Sequence, residues 1–518
     1  MGKRKEGRQK GKKTENSGDC DLDRNEILND DAFSPLSPGT LFSLLRRSRY
    51  VQLLLVLTLI GFFLRFYNLG FNSLWLDEAS TYTLSVGSIP QIWEATTAGE
   101  FNPPLFYWVE HIMLVFGNNE ITLRFIPALL GVLTIPLVYL AGKEFFDRNV
   151  GIIAAAAFAF SPFLIFYSQE ARAYSMMLFF VTFAMVFYFK ALKTNDVKNW
   201  ALFGVLSALA FWSHFYAMVV IAALVLYALG MQIQKIREDI RTLKPLALAI
   251  AVFTIICLPL IIVTIQLFAK RSASAPTFGI QGIGIIIETF RQISAFLPIP
   301  GFSEITMYVL VLLFIAGIVQ AFLIDKNKGI FLVWVTVLTF VISYLLSYRI
   351  PMVPRYLLFL NIVFFIGIAI SYKIFYSLIN NRAVVYSFIA FLFILNAPFL
   401  TNYYSGYSKD DWRGFSGIMH KTTNPGDFVV LVPGYISQPF NYYYSNTTDG
   451  TFEYGAYTAK DLDAIDTQRK NNNAVYFIVT GDIYSADPSG EALAWLKEHT
   501  KQLGQDTGIA VFVSGASL

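Results

Sequence analysis

The sequence predicts an all-α polytopic membrane protein carrying a small α/β domain at its C-terminal end. Three observations predict it. Of 518 residues, 55% are hydrophobic and only 15% charged, against about 25% charged in a soluble domain. The apolar residues fall in about eleven blocks close to the roughly 20 residues that span a bilayer as a helix. Beyond residue 403 the blocks stop, and the apolar runs become short and β-like, at 427–432, 474–480 and 509–513.

Residues 1–49 hold Lys3, Arg4, Lys5, Arg8, Lys10, Lys12 and Lys13, then Arg46, Arg47 and Arg49. This reads as a disordered cytoplasmic tail that obeys the positive-inside rule. It is too long and polar for a signal-peptide n-region, and no small-residue cleavage site follows, so the first block is a retained span. The blocks of the 50–403 region lie near 50–66, 122–142, 149–167, 174–192, 199–213, 215–231, 246–268, 306–324, 329–347, 356–372 and 384–401. Ser213 and His214 leave little room for a turn between the fifth and sixth.

Charge sets the orientation. With the N-terminus in the cytoplasm, the inner connections hold Lys143 and Arg148; Lys190, Lys193 and Lys198; Lys235, Arg237, Arg241 and Lys244; Lys326 and Lys328; Lys373 and Arg382. The first outer loop, 67–121, has no Lys or Arg but carries Asp77, Glu78, Glu94, Glu100, Glu110 and Glu120. An odd number of spans then places residues 404–518 outside, on a multi-pass protein of the cell membrane. In that domain a helix opening near Pro488 is expected over 488–503, and Asn446-Thr447-Thr448 is a glycosylation sequon. Cys20 and Cys257 sit in different environments and do not pair, and no Cys/His zinc pattern exists. Nothing in the charge pattern beyond the tail asks for a nucleic-acid partner; membrane lipids are the implied surroundings.

The first outer loop is the informative segment. Asp77 and Glu78 follow Trp75 in SLWLDEAS, in an extended loop without a cation of its own. Adjacent carboxylates repel, which raises the affinity of one for a proton. The short connection YSQEARAYS holds Gln169, Glu170 and Arg172, and charges at membrane depth are costly unless they face a cavity or a partner. A Glu170–Arg172 pair that merely closes the turn is the plainer alternative. Arg124 and Arg355 each open an inward-going span, where they either snorkel or bind an anionic headgroup; His214 lies at the same level. All these residues fall on one face of the membrane. Carboxylates there suit a general base, and arginines suit bidentate binding of phosphate.

These motifs resemble the membrane-embedded glycosyltransferases of the protein O-mannosyltransferase and aminoarabinose-transferase type, the GT-C fold. The resemblance covers roughly 50–370. It rests on the acidic pair Asp77-Glu78, the segment Asn102-Pro103-Pro104-Leu105-Phe106-Tyr107, Arg124 in LRFIPALLG, and the turn 167–175; KDDWRGFSGIM at 409–419 is similar to the start of the soluble tail in prokaryotic members. The resemblance implies a polyprenyl-phosphate monosaccharide donor, a hydroxyl acceptor on a glycan, lipid or protein, and inversion at the anomeric carbon. It implies Asp77 as general base, with Glu78, Asn102, Tyr107, Arg124, Gln169, Glu170, Arg172, His214 and Arg355 as substrate contacts. No cofactor or divalent metal is required by this scheme. Some relatives use a lysine near the Asn102 position; here arginines would supply that charge. The WWDYG-type signature of oligosaccharyltransferases and the carbohydrate-binding insert of eukaryotic O-mannosyltransferases are absent. The rival reading is a transporter or lipid flippase, for which broken helices and an internal repeat are expected; neither is visible in the sequence.

Overall fold

The computed structural model describes residues 48–515 except 101, 277 and 470–472. The basic tail expected over 1–49 lies almost wholly outside the described residues. The chain divides into units 1–52 and 53–518; of the first, only 48–52 are described, in the opening of the first helix.

The expected apolar blocks all form helices. In chain order, α1 is Arg49–Phe66. The acidic segment that follows is helical rather than extended, with α2 at Leu76–Ser85, α3 at Ile89–Ala98 and α4 at Leu105–Met113. Then come α5 (Glu120–Phe145), α6 (Arg148–Phe160), α7 (Pro162–Ser168), α8 (Tyr174–Thr194), α9 (Val197–Ser213), α10 (Ala217–Glu238) and α11 (Lys244–Arg271). An amphipathic α12 (Gly284–Ser294) precedes α13 (Phe302–Ile324), α14 (Lys326–Leu346), α15 (Leu360–Ile370), α16 (Tyr372–Ile379) and α17 (Ala383–Tyr404). Among the described residues, eight helices are long and apolar enough to cross a membrane, and nine if the bent pair α6–α7 is one span. Of the expected eleven, α9 falls short, with 17 residues; α10 is 22 residues long, and its described apolar stretch is Ala217–Ile233. Seventeen residues reach only about 26 Å at about 1.5 Å each, just under the roughly 30 Å of a hydrocarbon core.

The bend of 62° between α6 and α7 has a local cause. Proline disfavours the helical region for the residue before it, and Ser161, before Pro162, has ψ 115. The break frees carbonyls in α6, which water cannot satisfy at that depth. Arg65 of α1 caps them: Nη2 donates to Phe158 O at 3.2 Å and Nη1 to Ala159 O at 3.3 Å. Elsewhere small residues allow backbone contact. A Cβ on Gly317 of α13 would lie 1.8 Å from the carbonyl oxygen of Gly367 on α15.

After α17, α18 (Trp412–Thr422) leads into a five-stranded sheet of order β2-β1-β3-β5-β4. The strands are β1 (Phe428–Val432), β2 (Phe452–Gly455), β3 (Val475–Thr480), β4 (Lys501–Asp506) and β5 (Ile509–Ser514). β1 pairs parallel with β2 and β3, and β5 runs antiparallel to β3 and β4. Strands covered on both faces read as unbroken apolar runs, and β1 and β3 are buried throughout. That is why these two and β5 are legible. β2 is partly exposed and β4 is the polar run KQLGQD, so neither carries the signal. The helix expected over 488–503 is Glu491–His499. Pro488 lies before it, and Thr500 is extended, so the chain turns into β4 instead. The Asn446 side chain of the sequon lies outside the described residues.

The sheet domain is latched onto the α1–α2 connection. Ser73 Oγ donates to Asp410 O at 2.7 Å and accepts from Trp412 N at 2.9 Å. Tyr443 OH accepts from Leu74 N at 2.8 Å and donates to Glu120 at 2.6 Å.

Candidate functional site

Asp77 and Glu78 occupy the first turn of α2, where acidic groups oppose the positive end of the helix dipole. They are therefore not in an extended loop. Consecutive residues on a helix still diverge by about 100° at 3.6 residues per turn, and the two carboxylates meet different surroundings.

Glu78 points inward and is fully buried. Its carboxylate accepts from Arg124 Nε and Nη2, both at 2.7 Å, and from the Ala171 amide at 2.8 Å. Lys409 Nζ adds a contact at 3.1 Å. Burial pushes the carboxyl up, but Arg124 and Lys409 outweigh it and hold it down at about 2. This residue braces the loop, and the expected contact with substrate does not fit its position.

Arg124 is corrected in the same way. A guanidinium has five N–H donors. Besides the two on Glu78, the others go to Leu69 O at 2.9 Å, Asn72 O at 2.8 Å and Ser73 O at 3.0 Å. No donor remains for a lipid phosphate, and at 1% exposure it does not snorkel either. Gln169 is also structural. Its Nε2, with two N–H donors, faces the carbonyls of Leu64, Arg65 and Tyr67 at 3.3, 3.0 and 2.8 Å, and Tyr403 OH donates to its Oε1 at 2.5 Å.

Asp77 keeps a carboxylate at the surface of the site, its side chain 24% exposed. Arg355 Nη2 lies 3.6 Å and Arg172 Nε 3.9 Å from its Oδ2. Arg172 is anchored by Nη1 to Asp77 O at 3.2 Å and to Thr81 Oγ1 at 3.3 Å. The loop lacks cations of its own, and other elements supply them. The Glu170–Arg172 alternative does not form; Glu170 faces Lys409 instead, at 3.5 Å. Among the described residues, neither Glu170 oxygen has a hydrogen-bond partner. Burial drives its carboxyl up to about 7, Lys409 pulling against and Glu78 with the shift.

Asn102 and Tyr107 form a small chain beside this centre. Asn102 Nδ2 donates to Tyr107 OH at 3.4 Å, and Tyr107 OH donates to Glu100 Oε1 at 2.9 Å. Arg271, at the end of α11, donates to the carbonyls of Gly99 and Glu100 at 2.5 and 3.0 Å. Arg271, His214 and Tyr356 are polar residues lining a mainly apolar cavity of about 310 Å³, walled by Val219, Leu267 and Phe268 among others. His214 accepts from Tyr216 N at its Nδ1; its Nε2 is buried with no partner. Burial, then the charges of Arg172 and Arg355, push the imidazole down to about 3, so it is neutral; with Nδ1 accepting, the proton sits on Nε2, which can donate one hydrogen bond.

The structure thus gathers Asp77, Arg172, Arg355 and His214 at one end of the bundle, and turns Glu78, Arg124 and Gln169 into scaffolding. Lys409 and Arg271 escaped the sequence reading. Arg271 had a signal in its position at the end of an apolar block. Lys409 sits in the KDDWRG stretch but joins the site only through folding over more than 300 residues.

With this geometry in hand, comparison with known proteins is informative. A family model described as dolichyl-phosphate-mannose-protein mannosyltransferase matches residues 102–263. An uncharacterized protein of Aquifex aeolicus (strain VF5) is 31% identical over 135 residues, 24% of this chain. The chain spans about a quarter of the length of that curated relative, 27%. Among solved structures, ArnT from Cupriavidus metallidurans bound to undecaprenyl phosphate aligns with TM-score 0.55 and 12% identity, over 90% of this chain and 99% of that one. The Archaeoglobus fulgidus oligosaccharyltransferase AglB, in complex with an inhibitory peptide and a dolichol-phosphate, aligns with TM-score 0.51 and 14% identity, over 91% and 75%. The chain has the GT-C fold of these membrane proteins, as the sequence resemblance implied.

Proposed function

We propose that this protein is a glycosyltransferase that moves a single sugar, mannose-like, from a polyprenyl-phosphate donor to a hydroxyl on a glycan, lipid or protein, at the extracytoplasmic face of the membrane. The observation that carries the reading is Asp77. It is a partly exposed carboxylate between two arginines. One of them, Arg355, stands 5.8 Å from the ring centroid of Tyr356, a wall of the apolar cavity that Arg271 and the neutral His214 also line. The family match over 102–263 and the fold shared with ArnT and AglB support it.

In this scheme the prenyl chain lies along the apolar wall. The phosphate meets Arg355, beside the Tyr356 ring, and Arg271. The acceptor oxygen attacks the anomeric carbon from the face opposite the phosphate. The new C–O bond forms as the bond to the phosphate oxygen breaks; the electron pair leaves with the lipid phosphate, and the acceptor proton passes to Asp77. A hydroxyl is far less acidic than a carboxylic acid, so the proton moves late, in the transition state. Arginines preorganised around the departing charge supply the electrostatic stabilisation. No residue role here calls for a divalent metal.

The bent pair α6–α7 is a feature that a transporter would share. Its freed carbonyls are capped by Arg65 rather than offered to a cavity, which favours a static bend. The test is a transfer assay on the purified protein with a panel of radiolabelled polyprenyl-phosphate sugars. Label is expected to pass to an acceptor with one donor of the panel. Lipid or sugar movement across vesicles without any transfer product would overturn the proposal in favour of transport.

A further inference from the structure

At the other end of the bundle, where α5 and α8 finish and α14 begins, lies a second cavity of about 200 Å³. At about 30 Å³ per water this is room for roughly seven water-sized groups. Its floor is aromatic: Phe331 packs against Phe189 at 5.2 Å, Phe145 at 5.0 Å and Tyr227 at 5.1 Å between ring centroids. Its charged groups are balanced. Lys193 and Lys328 bring two cations, and Glu144 and Asp325 two carboxylates. Glu144 pairs with Lys193 at 3.1 Å, Asp325 Oδ1 accepts from Asn327 N at 3.0 Å, and Lys328 Nζ stands 4.5 Å over the Phe146 ring.

Gln232 breaks this balance. It lines the cavity, is 8% exposed, and its Oε1 is buried with no hydrogen-bond partner among the described residues. A buried acceptor left unmade is costly, and no described side chain meets this one, so the cavity offers an acceptor to a bound donor. A lone anion would satisfy the lysines and repel the carboxylates. A trimethylated ammonium would suit the carboxylates but has no N–H to give. The chemistry that matches all of these groups carries a phosphate and a primary ammonium on one short head.

We propose that this cavity is a binding site for the headgroup of a phosphoethanolamine lipid in the leaflet on that side. The phosphate faces Lys328 and Lys193, the ammonium donates to Gln232 Oε1 and the neighbouring carboxylates, and an acyl chain runs out along the aromatic floor. The site is independent of the transfer chemistry proposed at the opposite end.

The experiment is native mass spectrometry on the delipidated full-length protein. It is titrated with phosphatidylethanolamine, phosphatidylcholine and phosphatidylglycerol of identical acyl chains, and with soluble phosphoethanolamine. Phosphatidylethanolamine should bind about tenfold more tightly than phosphatidylcholine, the worth of one hydrogen bond to a charged group. Gln232→Leu should erase that preference, and Gln232→Glu, which keeps an acceptor, should retain it. Lys328→Gln should weaken both phospholipids. Competition by soluble phosphoethanolamine places the recognition in the headgroup. Equal binding of the ethanolamine and choline lipids by the wild type would overturn the proposal. So would a preference unaffected by Gln232→Leu, or tightest binding of phosphatidylglycerol.

Discussion

Replacing Glu78 with glutamine tests whether the acidic pair is divided between scaffold and chemistry. The substitution keeps the shape and removes the charge that Arg124 and Lys409 surround. In the fold this carboxyl sits at about 2, against an ordinary value of 4.5. At about 1.4 kcal/mol per pH unit, the difference is worth roughly 3 kcal/mol. A second route agrees: removing one partner of a buried ion pair costs about 3–5 kcal/mol. A carboxyl whose folded value is depressed stabilises the protein at pH above 4.5 and loses that contribution as pH falls toward 2. Glu78→Gln should therefore be destabilised by roughly 3 kcal/mol at pH 7, and the gap to wild type should close as the buffer is acidified through that window. Unfolding of the purified protein in mild detergent, followed across pH, is the assay. A variant within about 0.5 kcal/mol of wild type at pH 7, the range of an ordinary surface change, would refute the scaffold role. So would a gap that stays constant on acidification.

The neighbouring acid should behave differently. Asp77→Asn should leave stability near wild type and donor binding nearly unchanged, while turnover in a sugar-transfer assay falls by about 10²–10⁴-fold, the contribution of a positioned base; transfer within a few-fold of wild type would end that assignment. Arg124→Lys should destabilise the protein, because an ammonium cannot make the five hydrogen bonds of the guanidinium, and the folded fraction should bind lipid phosphate as well as wild type; a selective loss of lipid binding would restore a direct contact. Glu170 has a raised value near 7, so it stabilises most below pH 4.5 and its contribution is lost as pH rises toward 7. Glu170→Gln should accordingly be more stable than wild type at pH 8 and show a flatter slope between pH 5 and 7 in thermal unfolding. For orientation, Ser485→Cys in a protein lacking Cys20 should react with an impermeant thiol reagent from outside intact cells; labelling from the cytoplasm alone would invert the topology.

The site shows why sequence reading succeeded in part. Asp77, Arg172, Arg355 and His214 stand out in the sequence because a charge or imidazole beside an apolar block is rare, and the structure gathers them at one end of the bundle. Their companions Glu78, Arg124 and Gln169 stand out in the same way and were assigned to substrate for the same reason. Sequence gives the residue type and its level in the membrane, not the atoms that its donors reach. Arg124 meets its five acceptors only when the 69–73 backbone curls over it. Lys409 reaches Glu78 and Glu170 only because the segment after α17 is pinned to Ser73.

By itself the sequence determined the membrane class, the apolar helices in their order and the α/β character of the C-terminal part. Each rests on a local quantity: block length against bilayer thickness, or an unbroken apolar run against a strand buried on both faces. Tertiary structure alone decided that the acidic segment is helical, that α6–α7 is bent and capped by Arg65, and that β2 and β4 complete the sheet. It also decided which of two adjacent carboxylates stays partly exposed and which is buried. Those outcomes depend on which distant group arrives to satisfy a buried charge or carbonyl, and in a low-dielectric interior that arrival settles whether a polar side chain is scaffold or is left free to act.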